Sequence, residues 1–296
     1  MKDSFKITIL IAVLNGEEYL EETILSIQKQ NYQNWELVII DNGSTDKTLS
    51  IAQKFSKKNN KIKIHHIPYP AKIEAYNKGF EISSGDFLTY MGADDTLPED
   101  SLEKRIENLS QDNQFSTCLL KTFSEDDKFN QVIFPKNINL PNYSGGSIMF
   151  SKKTASSIFP IPLELPNEDT WSSLFLRAFC ENKHIPLPLY DYRIHKKNTY
   201  GYGVDFEKKR VGFFKRMYAY ELFYERYKEE DNTFIKGYLK NYITGLQYTQ
   251  ACKLSEILTL PNLSVGEKLK FMMYSNRTLF NIRNRFFHFF SGITNT

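Results

Sequence analysis

Residues Ile7 to Val13 read ITILIAV, with a single threonine in an otherwise apolar run. A strand with one face in water alternates polar and apolar positions. A continuous run asks for burial on both faces, as in a parallel sheet covered by helices. Three more stretches fit that demand: Trp35 to Ile40 (WELVII), the weaker Lys61 to Ile67, and Phe87 to Met91 (FLTYM). Helical patterns lie between them. A helix follows Asn15, with Glu17 and Glu18 in its first turn and Leu20, Ile24 and Ile27 on one face. Leu49, Ala52 and Phe55 mark a second helix, and Ala71 to Ile82 a third. Strands alternating with helices predict an α/β fold, a mostly parallel central sheet with flanking helices and right-handed crossovers. Ligands of such sheets bind at the C-terminal ends of the strands.

Two of those ends carry acids. WELVII runs into Asp41-Asn42-Gly43-Ser44-Thr45-Asp46, a turn and a helix start. FLTYM runs through Gly92-Ala93 into Asp94 and Asp95, and Pro98, Glu99 and Asp100 then open a helix. Two acids at the end of a buried strand make a place for a hard divalent cation, which takes carboxylate oxygens together with phosphate oxygens of a substrate. The competing reading makes Asp94 and Asp95 turn and N-cap residues, and Asn42-Gly43 a plain turn.

The second half changes character. Phe115 to Phe123 and Gln131 to Phe134 read as strands around an acidic turn at Glu125-Asp126-Asp127. Gly145 to Phe150 is a glycine-led strand, followed by a helix from Lys152. Asn167-Glu168-Asp169-Thr170-Trp171 opens another helix, and Leu187 to His195 is a further strand. From about Tyr202 only helices are expected. The predicted organisation is a catalytic α/β domain over 1–200 and a helical C-terminal extension over 201–296.

A formal net charge of +3 gives no case for a nucleic-acid partner. Cys118, Cys180 and Cys252 are far apart, without metal-ligand spacing, and their odd count suits a reducing compartment. With no signal peptide visible, the expectation is a cytoplasmic protein.

The order of these pieces resembles the inverting glycosyltransferases of family 2, which have the nucleotide-diphospho-sugar transferase (GT-A) fold. The resemblance covers roughly Phe5 to Thr199. It is carried by Ile11-Ala12-Val13-Leu14-Asn15, by DNGSTDKT at Asp41 to Thr48, by AYNKGFEISSGDFLTYMGADD at Ala75 to Asp95, and by Glu168-Asp169 followed by Leu174-Phe175-Leu176-Arg177. It implies transfer of a sugar from a nucleotide diphosphate donor to an acceptor hydroxyl, with Mn²⁺ or Mg²⁺ as cofactor. Such enzymes build surface polysaccharides and glycolipids, so the implied acceptor is a glycan or a lipid-linked molecule.

Residue by residue, the resemblance implies Asp169 as the catalytic base, with Glu168 beside it. Ala12, Asn15, Asp41, Asn42, Asn77, Asp94 and Arg193 would contact the donor nucleotide. Asp95 and His195 would hold the metal, Asp94 reaching the ribose or a metal-bound water. Where the family often has an acid two places before its last one, this chain has Ala93. Asn42 stands where a second aspartate is common. An amide accepts from uracil N3–H and donates to a carbonyl, which tilts the expectation toward a pyrimidine nucleotide. The plainer alternatives are helix caps at Glu168-Asp169, a structural His195 and a surface Asn77.

Lys268 to Phe290 sets Leu269, Met272, Met273, Leu279, Phe280, Phe286, Phe287 and Phe290 at helical spacing, with Lys268, Lys270, Arg277, Arg283 and Arg285 among them. One reading is an amphipathic helix in peripheral contact with an anionic membrane; the other is a helix packed into the C-terminal bundle. Two further rivals concern the whole chain. A nucleotidyltransferase would need a glycine- and arginine-rich phosphate loop after the first strand, where Gly16-Glu17-Glu18 stands instead. A non-catalytic scaffold would have no use for the acidic pairs.

Overall fold

The computed structural model describes residues 5–107, 109–110, 112–124, 130–195 and 205–282. Outside them lie the acidic turn Glu125-Asp126-Asp127, Lys196 and Lys197, and Phe286, Phe287 and Phe290 with Arg283 and Arg285. The chain divides into two compact units, 1–196 and 197–296.

The first unit is built on an eight-stranded sheet: β1 (Ile7–Val13), β2 (Trp35–Asn42), β3 (Ile62–Ile67), β4 (Phe87–Tyr90), β5 (Gln114–Ser124), β6 (Ile133–Phe134), β7 (Ile148–Ser151) and β8 (Glu181–Ile194). The strand order is β3-β2-β1-β4-β7-β5-β6, with β8 on β5. The first four strands are mutually parallel. β7 is antiparallel to β4, and β5 to β7, so β5 and its parallel partner β8 run in the direction of β4. The C-terminal ends of β1, β2, β4 and β8 therefore share one edge of the sheet.

Every residue of β2 is buried, Asp41 and Asn42 included, and β1 is buried except for the half-buried Ala12. This is what the unbroken apolar runs demanded. Each fully buried Ile or Leu contributes about 1.5–3 kcal/mol. The covering helices are α1 (Leu20–Gln28), α2 (Thr48–Ser56), α3 (Lys72–Ile82), α4 (Ser101–Ile106), α5 (Lys152–Ile158) and α6 (Glu168–Phe179).

Two helix starts fall later than the sequence suggests. Glu17 and Glu18 precede α1 rather than forming its first turn, because the loop bonds elsewhere. Asn15 is left-handed (φ 52°), and the Glu17 carboxylate accepts from Lys47 N at 3.0 Å. Pro98 to Asp100 likewise precede α4; the Glu99 carbonyl accepts from Asn31 N at 2.8 Å instead.

At the opposite edge of the sheet an unforeseen anchor ties β1, β2 and β4 together. The buried Glu36 carboxylate accepts from Thr8 Oγ1 (2.7 Å), Ser84 Oγ (2.6 Å) and Gly85 N (3.1 Å), and faces Lys63 (2.8 Å) and Lys6 (3.0 Å). Burial pushes this carboxyl up, but the hydrogen bonds from Lys63, Ser84 and Thr8 outweigh it. They hold the group well below its ordinary value of 4.5. A carboxyl more acidic in the folded than in the unfolded chain contributes stability that is complete above its unfolded value and is lost as pH falls from there toward the folded value. Glu36→Gln is expected to cost on the order of 3 kcal/mol at neutral pH, and the gap to wild type should narrow between about pH 5 and pH 3. Urea denaturation across that range measures it; a gap that stays constant would show that the ionised carboxylate is not what matters.

The second unit is helical: α7 (Phe206–Tyr227), a π-helical turn (Phe234–Leu239), α8 (Lys240–Gln250), α9 (Leu254–Thr259) and α10 (Val265–Ser275). Phe213, Tyr242, Leu246, Ile257 and Phe271 form its core. The single helix expected over 268–290 is broken. α10 ends at Ser275, Asn276 is extended (φ −141°, ψ 125°), and a second helical segment begins at residue 277. Asn276 Oδ1 caps that segment by accepting from Thr278 N at 2.8 Å. Phe271, Met273 and Phe280 are buried, while Leu269 is exposed, so the described apolar residues mostly serve the core of this unit. Among the described residues no helix is long and apolar enough to cross a membrane.

Candidate functional site

The C-terminal edge of β4 leads into the turn Met91 to Asp95. Its two acids occupy different surroundings. Asp94 is one-third exposed, and its Oδ2 stands 2.9 Å from Nε2 of His195, which is 15 % exposed. Asp95 is 3 % exposed. Its Oδ2 accepts from the Tyr190 hydroxyl (2.6 Å) and its Oδ1 from Arg193 N (2.9 Å). Burial first, and then the Asp94 charge, push the Asp95 carboxyl up to about 8. Asp94 is thus the more accessible of the two carboxylates, and Asp95, expected at the metal, is held inside by Tyr190 and Arg193.

β8 and the residue after it supply every partner of this turn named so far. The strand runs parallel to β4 in direction, so Tyr190, Arg193 and the following His195 arrive at the same edge. Thr96 and Asp191 also exchange backbone hydrogen bonds, both 3.0 Å. From α1, Thr23 Oγ1 donates to the carbonyls of Ala93 (2.9 Å) and Asp95 (2.8 Å).

Arg193, expected at the donor nucleotide, is engaged within the protein. Its Nε donates to the Asp94 carbonyl (2.7 Å) and its Nη2 pairs with Glu22 (2.5 Å). The guanidinium lies over the rings of Tyr19 (4.5 Å) and Phe123 (4.3 Å). It thus positions Asp94.

Across β1, the end of β2 holds Asp41 and Asn42. Asp41 is fully buried, with His66 Nδ1 2.7 Å from its Oδ2; the half-exposed imidazole is what the solvent meets. Asn42 Oδ1 accepts from Ala71 N. Gly43 has φ +80°, and a Cβ there would stand 2.7 Å from the Tyr69 carbonyl carbon; a side chain at this position would strain the turn.

Two other expected donor contacts also fasten parts of the fold. Asn15 Oδ1 accepts from Thr45 N (2.8 Å) and Asn15 N donates to Ser44 Oγ (2.9 Å), fastening the loops after β1 and β2 to each other. Asn77 exchanges two hydrogen bonds with the backbone of Ile161, 2.9 Å and 2.8 Å, one at each end of its amide. These bonds go to Ile161 and not to Asp94. Ala12 is half-buried one residue before the end of β1.

Glu168 and Asp169 open α6. Glu168 is buried, with the Lys72 ammonium 2.9 Å from its carboxylate. Asp169 is half-buried, and its Oδ1 accepts from the Asn167 amide and from Thr170 Oγ1 (3.3 Å). A Cβ on Gly145 would lie 3.5 Å from Glu168 Oε1 and 3.6 Å from both Asp169 Cβ and Tyr90 Cβ. The start of α6 therefore packs beside the end of β4. Tyr190, His66 and Lys72 carry no motif; each is recruited by strand register or helix packing, which sequence spacing does not display.

A family model described as glycosyl transferase family 2 matches residues 8–161. An uncharacterized glycosyltransferase of Haemophilus influenzae is 38 % identical over 112 residues; the match covers 38 % of this chain and 45 % of that protein, so the chain matches less than half the length of this relative. Among solved structures, S. aureus TarS 1–349 in complex with UDP-GlcNAc superposes with a TM-score of 0.58 at 16 % identity, over 95 % of this chain and 92 % of that one. The mannosyltransferase PcManGT from Pyrobaculum calidifontis, in complex with GDP-Man and Mn²⁺, gives a TM-score of 0.65 at 13 % identity, over 95 % and 88 %. At these identities the likeness to both structures is one of fold.

Proposed function

The chain belongs to glycosyl transferase family 2, and from that premise we propose that it is a metal-dependent, inverting glycosyltransferase using a nucleotide diphosphate sugar. The observation that carries this reading is the Asp94–His195 pair at the end of β4, on the edge that also bears Asp41-Asn42 and lies beside Asp169. Asp94 Oδ2 and His195 Nε2 are 2.9 Å apart, as close as two neighbouring ligands of one small divalent ion stand. These two side chains would hold Mn²⁺ or Mg²⁺, and Mn²⁺ accompanies the donor in PcManGT. Bound there, the ion supplies positive charge for the departing diphosphate.

The chain's own groups do the rest. Asp169 takes the proton of the acceptor hydroxyl as its oxygen forms a bond to the anomeric carbon, and the bond from that carbon to the diphosphate breaks on the opposite face. Single displacement inverts the centre. Asp169 suits this role better than Glu168, whose carboxylate is buried and paired with Lys72. A pyrimidine donor is favoured because the two adjacent donors of guanine call for a carboxylate where this chain has Asn42; with Oδ1 taken by Ala71 N, the amide nitrogen would donate to a base carbonyl.

A thermal-shift series tests the reading, since a ligand of the native state raises the melting temperature by mass action. UDP with Mn²⁺ should raise it more than UDP alone and more than GDP with Mn²⁺. If no nucleoside diphosphate shifts it with or without the metal, the reading is wrong.

A further inference from the structure

The turn from Gly92 to Asp95 is held by a side chain 95 residues further along. The buried Tyr190 hydroxyl donates to Asp95 Oδ2 at 2.6 Å and accepts from Gly92 N at 2.9 Å. A buried tyrosine hydroxyl usually needs one partner; this one bridges both ends of the turn. Asp95 is fixed again on its other oxygen by Arg193 N at 2.9 Å, and the Thr96–Asp191 backbone pair closes the arrangement. Asp94 lies inside this clamp, and His195, its partner, lies on the segment that forms the clamp.

The tyrosine ring is itself held in place. A Cβ on Gly146 would lie 2.2 Å from Tyr190 Cζ and 2.3 Å from Cε2, so the ring occupies space that only a bare backbone leaves.

We propose that Tyr190 is a positioning residue for the cation site: by bridging Asp95 and Gly92 its hydroxyl sets the turn that presents Asp94 to His195. The inference rests on the metal reading above and adds a residue that touches neither ion nor substrate. Groups that orient metal ligands are worth about 10–100-fold in metal affinity.

The test is direct Mn²⁺ binding to the full chain, read as loss of the free-ion EPR signal. Tyr190→Phe keeps the ring and removes the hydroxyl; its Mn²⁺ dissociation constant should rise about 10–100-fold. Phe55→Leu, a core change in α2, should bind Mn²⁺ like wild type even where it lowers the melting temperature. If Tyr190→Phe does not fold, Gly146→Ala, which displaces the ring, takes its place with the same expectation. Unchanged affinity in a folded hydroxyl or ring variant overturns the positioning role alone. A wild-type chain that binds no Mn²⁺ overturns the metal reading, and this inference with it.

Discussion

Asp169→Asn is expected to lower turnover by about 10²–10⁴-fold, the usual worth of a positioned base, while donor affinity stays nearly intact. The expectation follows from surroundings. Asp169 is half-buried at the first turn of α6, and the Asn167 amide and Thr170 hydroxyl hold its Oδ1. An asparagine side chain keeps the size and some of these contacts but cannot take a proton from the acceptor. Steady-state kinetics with varied donor and acceptor separate the two effects. A collapse of donor affinity without loss of turnover would make Asp169 a donor-binding residue. Glu168 would then be the base, despite its pairing with Lys72.

Asp94→Asn should have a comparable effect through another route. It removes one of the two side chains that would hold the cation, and transfer at saturating donor should fall roughly 10³-fold, on the order of 4 kcal/mol. Melting should hardly change, because Asp94 is one-third exposed and its side chain meets only His195 among the hydrogen bonds described. The measurement is turnover across a Mn²⁺ series, with the melting curve alongside. A variant that responds to Mn²⁺ as wild type does would move the metal assignment away from Asp94.

The sheet was legible where burial alone decides. ITILIAV and WELVII have no other place to go than the middle of a parallel sheet, and both are strands at the expected positions. The start of β8 was not legible. The strand begins at Glu181, six residues before the apolar run, because ENKHIP is held by pairing with β5 rather than by its own pattern. At the site, Asp94 and His195 were both singled out and do come together. The division of labour between Asp94 and Asp95 was hidden, since adjacent acids look alike until the fold decides which one points inward. The structural bonds of Asn15 and Asn77 were hidden for a related reason. An amide that fastens two loops and an amide that binds a nucleotide have the same chemistry, and only the partner across the fold distinguishes them.

The clamp on the Gly92–Asp95 turn also has a consequence for the order of folding. Asp95 meets Tyr190 and Arg193 across 95 and 98 residues, and Asp94 meets His195 across 101. Contacts of such separation close large loops and form late, after the local strand–helix units. An emerging chain that has completed β1 to β4 thus owns both acids but neither the β8 groups that enclose Asp95 nor the His195 that meets Asp94. Until β8 docks, Asp95 keeps its water. The Gly92–Asp95 turn accordingly takes its described form only once β8 is in place.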